Sequence, residues 1–158
     1  MKRKIFFILV IVLFCTNANA QLFVGGALGV GYSDESFSME IKPSAGYEFN
    51  NRWAVGMGVG MMALNSHFYG GINPYLRLNC WNNEKFFIDL KAQSDIWFNS
   101  STSFVTLGLT PSLRYAITES WQLSGDIGFI GVQSDDGDWS PAFSLKTTNA
   151  EITLIYKF

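Results

Sequence analysis

The sequence predicts an all-β fold, an eight-stranded antiparallel up-and-down barrel standing behind a short leader. Three observations carry that expectation. Apolar residues alternate with small or polar ones through eight successive segments, which is the signal of strands. The chain after residue 20 shows no helical period, and no run in it reaches the ~20 apolar residues a membrane helix needs. The first 20 residues follow a different pattern altogether.

That leader opens with the basic residues Lys2, Arg3 and Lys4 and continues as an unbroken apolar run, Ile5 to Phe14. Ala18-Asn19-Ala20 then forms an A-x-A site, with Gln21 after the cut. Basic start, short apolar stretch and small-residue site together describe a cleavable secretory signal. Cys15 raises the question of lipidation, but Phe14 places a bulky residue where a lipoprotein signal wants a small one. The expected organisation is therefore a signal peptide, 1–20, and one β-barrel domain, 21–158. In the exported part Cys80 is the single cysteine, so an internal disulfide is excluded. Losing three basic residues with the leader leaves 8 Lys and Arg against 13 Asp and Glu, a net of −5. That balance argues against a nucleic-acid partner, which requires a basic face.

The eight strands can be read in order. Leu22, Val24, Leu28, Val30 and Tyr32 alternate with Phe23, Gly25, Ala27, Gly29 and Gly31. Phe37, Met39, Ile41 and Tyr47 alternate with Ser38, Glu40, Lys42, Ser44 and Glu48. Trp53, Val55, Met57, Val59 and Met61 face away from Ala54, Gly56, Gly58 and Gly60. Ile72, Leu76, Leu78 and Cys80 oppose Asn73, Tyr75, Arg77 and Asn79. Phe86, Ile88, Leu90, Ile96 and Phe98 oppose Phe87, Asp89, Lys91, Gln93 and Asp95. Val105, Leu107, Leu109, Leu113 and Tyr115 oppose Thr106, Gly108, Thr110, Ser112 and Arg114. Trp121, Leu123, Ile127 and Phe129 oppose Gln122, Ser124, Asp126 and Gly128. Ile152, Leu154, Tyr156 and Phe158 oppose Glu151, Thr153, Ile155 and Lys157. Between the last two segments, Phe143 and Leu145 are out of step with the strand end.

Connections alternate in kind. Asn50-Asn51-Arg52, Asn82-Asn83-Glu84 and Thr118-Glu119-Ser120 predict tight turns, each followed by an aromatic residue that opens a strand. The connections near 33–36, 64–71, 99–103 and 133–140 read as mostly longer loops. Short turns at one end and longer loops at the other fit a barrel with both termini periplasmic and four loops outward.

Volume decides which face is inside. The apolar parity carries about 35 large side chains, and an eight-stranded barrel has an interior only just wide enough for side chains to fill. The apolar parity therefore faces outward, where it needs lipid, and the small and charged parity lines the lumen. Closure satisfies every backbone group without water. Aromatics fall at the strand ends. Tyr47, Trp53, Trp81, Phe86, Tyr115 and Trp121 form the core of a girdle at the tight-turn end, and Tyr32, Phe37, Phe68, Tyr69, Phe98, Phe104 and Trp139 cluster at the loop end. Eleven charges point inward: Glu40, Lys42, Glu48, Arg77, Asp89, Lys91, Asp95, Arg114, Asp126, Glu151 and Lys157. Six acids and five bases in a narrow barrel predict an ion-pair network that plugs the lumen.

Taken together, these features resemble the small eight-stranded outer-membrane β-barrel proteins of Gram-negative bacteria, the outer membrane protein β-barrel domain family. The resemblance is one of pattern over the whole exported chain. It is sharpest at Ala150-Glu151-Ile152-Thr153-Leu154-Ile155-Tyr156-Lys157-Phe158, which resembles that family's C-terminal strand signal. By that resemblance Ile152, Leu154, Tyr156 and Phe158 are an assembly signal read by the barrel-assembly machinery. Outer-membrane lipid and lipopolysaccharide are the other expected partners, the location is the outer membrane, and the protein is expected to be a monomer.

Chemistry is sparse. His67, the single histidine, follows Ser66 in what reads as a loop, and adjacency alone makes no catalytic pair. Asp135-Asp136-Gly137-Asp138 lacks the spaced ligands and distal Glu of a helical calcium loop, and reads as a solvated turn. No catalytic residue, cofactor or metal is expected. Three functions stay open: a structural or interaction barrel, a passage for small or hydrophobic molecules, and a lipid-modifying enzyme, which the sequence supports least.

Overall fold

The computed structural model describes residues 21–33, 36–64, 67–100, 102–135, 137–145 and 149–158. The expected leader, 1–20, and its cleavage site lie outside the described residues. Ten strands are present: β1 (Gln21–Ser33), β2 (Ser36–Glu48), β3 (Trp53–Leu64), β4 (His67–Asn82), β5 (Phe86–Phe98), β6 (Ser103–Ala116), β7 (Trp121–Asp126), β8 (Gly128–Asp135), β9 (Asp138–Leu145) and β10 (Asn149–Lys157). They make eight staves, because β7 and β8 both pair with β6 as one interrupted stave, and β10 and β9 pair in turn with β7 and β8. All pairings are antiparallel, and the β1–β10 and β5–β6 ladders close the sheet into a barrel.

Period-two patterning becomes alternating burial. Along β3, Trp53, Val55, Met57, Val59 and Met61 are exposed, while Ala54 and Gly56 are buried. The turns work as their residues suggest. Asn50 Oδ1 accepts from the N–H of Arg52 at 2.8 Å and of Trp53 at 2.9 Å. Asn83 Oδ1 accepts from Lys85 and Phe86, and Thr118 Oγ1 from Trp121 at 3.0 Å. Each turn side chain thus holds the first backbone N–H of the strand it launches.

Three expectations need correction. First, the loop-end connections are short. Leu64 pairs with His67, Ser33 with Ser36 and Asp135 with Asp138, so the ladder runs almost to each tip. Ser, Asn and Gly read as loop residues, yet a hairpin ladder needs only their backbones. His67 is accordingly the exposed first residue of β4.

Second, Phe129 does not share a face with Ile127. Ser112 pairs with Asp126 and Leu109 with Ile130, so Thr110 and Pro111 oppose three residues, Ile127, Gly128 and Phe129. This is a β-bulge. Pro111 has no N–H to give, and its carbonyl accepts from Ile127 N at 2.9 Å. The extra residue flips the parity: Ile127, Ile130 and Val132 face out, and Phe129 lines the interior. The out-of-step Phe143 belongs to β9, where the outward set is Trp139 and Phe143; in β10 it is Ile152 and Leu154, with Phe158 just past the strand.

Third, Tyr69 and Phe104 are not part of an outer girdle. Both sit on the inward parity of their strands, their rings 5.5 Å apart, with Trp97 6.5 Å from Phe104. Phe37, Phe68, Phe98 and Trp139 remain on the outer face.

Candidate functional site

The interior is the one region where this fold gathers polar chemistry, and it is built in tiers. At the tight-turn end, Arg114 on β6 grips Asp89 on β5 with two bonds, Nε to Oδ2 at 2.7 Å and Nη2 to Oδ1 at 3.1 Å. Its third bond goes from Nη1 to Gln122 Oε1 at 2.7 Å. Asn79 Nδ2 donates to the same carboxylate at 2.8 Å. The Arg114 guanidinium also lies over the Phe87 ring, 4.2 Å from its centroid. Across the lumen Arg77 donates to Glu48 at 2.9 Å and covers the Phe23 ring at 5.2 Å. Lys157 reaches both Glu48 oxygens, at 3.0 and 2.9 Å. A bidentate guanidinium with stacked rings is the arrangement that best offsets the cost of burying charge.

Phe23 fits only because its neighbours are small. A Cβ at Gly46 would overlap the Phe23 ring, and one at Gly56 would overlap the Tyr75 ring. Phe23, Ala54 and Ile155, with Tyr75 against them, form a buried apolar cluster in the interior. Next along the axis, Lys91 Nζ stands 2.6 Å from Asp126 Oδ1. The void at this level is about 40 Å³.

The loop-end tier differs. Lys42 Nζ lies 2.7 Å from Glu151, 3.3 Å from Glu40 and 3.9 Å from Asp95. Asp95 also accepts from Asn73 at 2.8 Å, Gln93 at 3.1 Å and Thr106 at 3.3 Å. Above them is a cavity of about 500 Å³. Among the described residues Lys42 is the one basic side chain lining it, against three carboxylates.

All eleven charged residues singled out in the sequence point inward and take part in ion pairs with one another. Sequence reasoning set Phe23, Tyr75 and Phe87 on the inward parity without counting them in the site, left Trp97 unplaced and set Phe129 on the outer face. Phe23, Tyr75 and Phe87 already sit on the inward parity, so period two was signal enough; Phe129 needed the bulge.

At the tight-turn end of the outer face, Phe86 and Tyr115 pack at 4.9 Å, as do Trp121 and Tyr156. Trp53 and Trp81 are exposed, and Tyr47 packs against Phe49 at 5.6 Å. Ile152, Leu154 and Phe158 are exposed as well, with Tyr156 5.1 Å from Phe158. Gln21 Nε2 donates to the Phe158 carbonyl at 2.6 Å, tying the two ends of the domain together. Cys80 is exposed. Asp138 is exposed beside Gly137, whose φ of 101° makes the turn. Ser66 and Asp136 lie outside the described residues. Among the described residues no cluster of His, Cys, Asp and Glu could hold a metal ion.

No protein-family model and no curated protein matches the chain. Solved structures do. Neisserial surface protein A aligns over 88% of this chain and 97% of its own, at 15% identity and a TM-score of 0.51. The chain is built on that barrel fold. A de novo designed transmembrane β-barrel aligns over 90% of this chain and 98% of its own, at 12% identity and a TM-score of 0.49. Ail, the attachment invasion locus protein of Yersinia pestis, solved with the heparin analogue sucrose octasulfate, aligns over 88% and 97%, at 13% identity and a TM-score of 0.39.

Proposed function

We propose that the protein is an integral outer-membrane β-barrel, monomeric, with a plugged polar lumen and a structural or interaction role at the cell envelope. Three arguments support the membrane. The outer face exposes Leu22, Leu28, Met57, Met61 and Ile152 in one continuous apolar wall, and soluble monomers rarely carry apolar patches above a few hundred Å². The β1–β10 and β5–β6 ladders close the barrel, pairing the backbone around it as hydrocarbon demands. The aromatic pairs Phe86–Tyr115 and Trp121–Tyr156 sit where an interfacial girdle belongs.

The observation that carries the plugged lumen is the tight-turn tier, where Arg114, Asp89, Arg77, Glu48 and Lys157 close the bore against stacked rings. Outer-membrane lipid and lipopolysaccharide are then the surroundings of the outer face. The C-terminal residues Ile152, Leu154, Tyr156 and Phe158 serve the assembly machinery, and no catalysis is assigned. The test is fractionation with outer membranes together with heat-modifiable migration in detergent gels. Both are expected; a freely soluble periplasmic product would overturn the reading. A second reading, passage of hydrophobic molecules, is favoured by one observation: the residues lining the loop-end cavity include Val30 and Phe143, which belong to the exposed apolar set.

A further inference from the structure

Pro43 and Pro74 each break a ladder without shifting its register, and the fold treats the two gaps differently. Between β4 and β5, Ile72 pairs with Ile96 and Tyr75 with Gln93, but no pair forms between them, where Pro74 stands opposite Ser94. Pro74 keeps its pairing with Met57 on the other side. The N–H it lacks is therefore the one due to the Ser94 carbonyl. Asn73 repairs the gap: its Nδ2 donates to Ser94 O at 3.1 Å.

The same gap recurs between β2 and β3. Ile41 pairs with Met61 and Ser44 with Gly58, and the pairs between them, Lys42–Gly60 and Pro43–Val59, are missing. The ladder to β1 runs unbroken through Pro43–Gly26. The Val59 carbonyl is thus the group left without a strand donor. Here the residue before the proline is Lys42, whose Nζ turns instead to Glu151 at 2.7 Å and Glu40 at 3.3 Å. Among the described residues no side chain does for Val59 what Asn73 does for Ser94.

This gap opens onto a groove in the outer wall. Met39, Ile41, Pro43, Val59, Met61 and Phe68 line a space of about 570 Å³ there, and all six are exposed. In a wall that faces lipid, hydrocarbon fills such a groove, and a backbone carbonyl without a donor is costly in it. One ligand meets both demands: an acyl chain for the walls, with a hydroxyl to donate at the break. From Ala63, which pairs with Phe68 toward the loop end, to Val59 is about 13 Å along β3. The hydroxyl therefore belongs well down the chain, away from the headgroup.

Resting on the membrane placement proposed above, we propose that the groove between β2 and β3 binds the acyl chain of a membrane lipid carrying a mid-chain hydroxyl, which donates to the Val59 carbonyl that Pro43 leaves without a partner.

The test uses the full barrel in nanodiscs of phosphatidylcholine with a trace of photoreactive phosphatidylcholine. One probe carries a hydroxyl halfway along its acyl chain and the other a plain chain, and cross-links are mapped by mass spectrometry. The hydroxylated probe should label β2 and β3 around Ile41 and Met61 about fivefold more than the plain one. Pro43→Ala returns an N–H to the Val59 carbonyl and should bring the two probes level, with the groove still labelled. Ile41→Trp with Met61→Trp fills the groove and should abolish the focus while heat-modifiable migration is kept. Equal labelling by both probes in the unmodified protein, labelling spread evenly around the wall, or a hydroxyl preference that survives Pro43→Ala overturns the proposal. Failure of the barrel to enter nanodiscs would instead refute the membrane reading on which it rests.

Discussion

The two halves of the lumen use the same residue types and reach opposite ends. At the tight-turn end each guanidinium finds a carboxylate and an aromatic face, with three bases against two acids, and only about 40 Å³ is left open beneath the loop-end tier. At the loop end one ammonium serves three carboxylates under a cavity of about 500 Å³. The difference teaches what makes a plug. Charge pairing is present in both tiers, but only in the tight-turn tier do guanidiniums stack on rings and grip a carboxylate with two bonds. The loop-end tier has its partners and keeps its space.

Mutations should respect that division. Arg114→Met leaves Asp89, 1% exposed, without its main partner. It should cost about 3–5 kcal/mol, read as a lower urea midpoint for unfolding from lipid vesicles. A loss as small as that of a surface pair would erase the distinction between the halves. Gly46→Ala should come next. Its Cβ overlaps the Phe23 ring, and overpacking of this kind costs about 1–3 kcal/mol. In the same assay Asp95→Asn should cost only about 1 kcal/mol, because Asn73, Gln93 and Thr106 can rearrange around it beside the cavity. His67→Ala, at an exposed hairpin end, should change stability by less than about 0.5 kcal/mol.

A separate prediction concerns assembly. Deleting Phe158 removes its contact with Tyr156 and the carbonyl that Gln21 binds. The yield of heat-modifiable barrel in the outer membrane should fall, with no new activity gained. Unchanged yield would remove the role given to the C-terminal strand.

Much of this was legible in the sequence, for a specific reason. In a strand, period two fixes the face of every residue once the strand is recognised. Glu40, Asp89, Arg114 and Lys157 could therefore be assigned to the lumen without knowing which strands pair. What parity cannot supply is a break in parity. The bulge opposite Pro111 arises from a donor missing between two particular strands, and it alone turns Phe129 inward. Tyr69 and Phe104 were assigned by their height in the barrel, when their parity already marked them as inward.

Conductance tests the central claim most directly. Purified barrel inserted into planar bilayers, with both tiers intact, should show no steady current if the lumen is plugged as proposed, with the Arg114–Asp89 and Arg77–Glu48 tier closing the bore whatever the loop-end cavity admits. Stable nanosiemens-scale channels from the unmodified protein would contradict the plug.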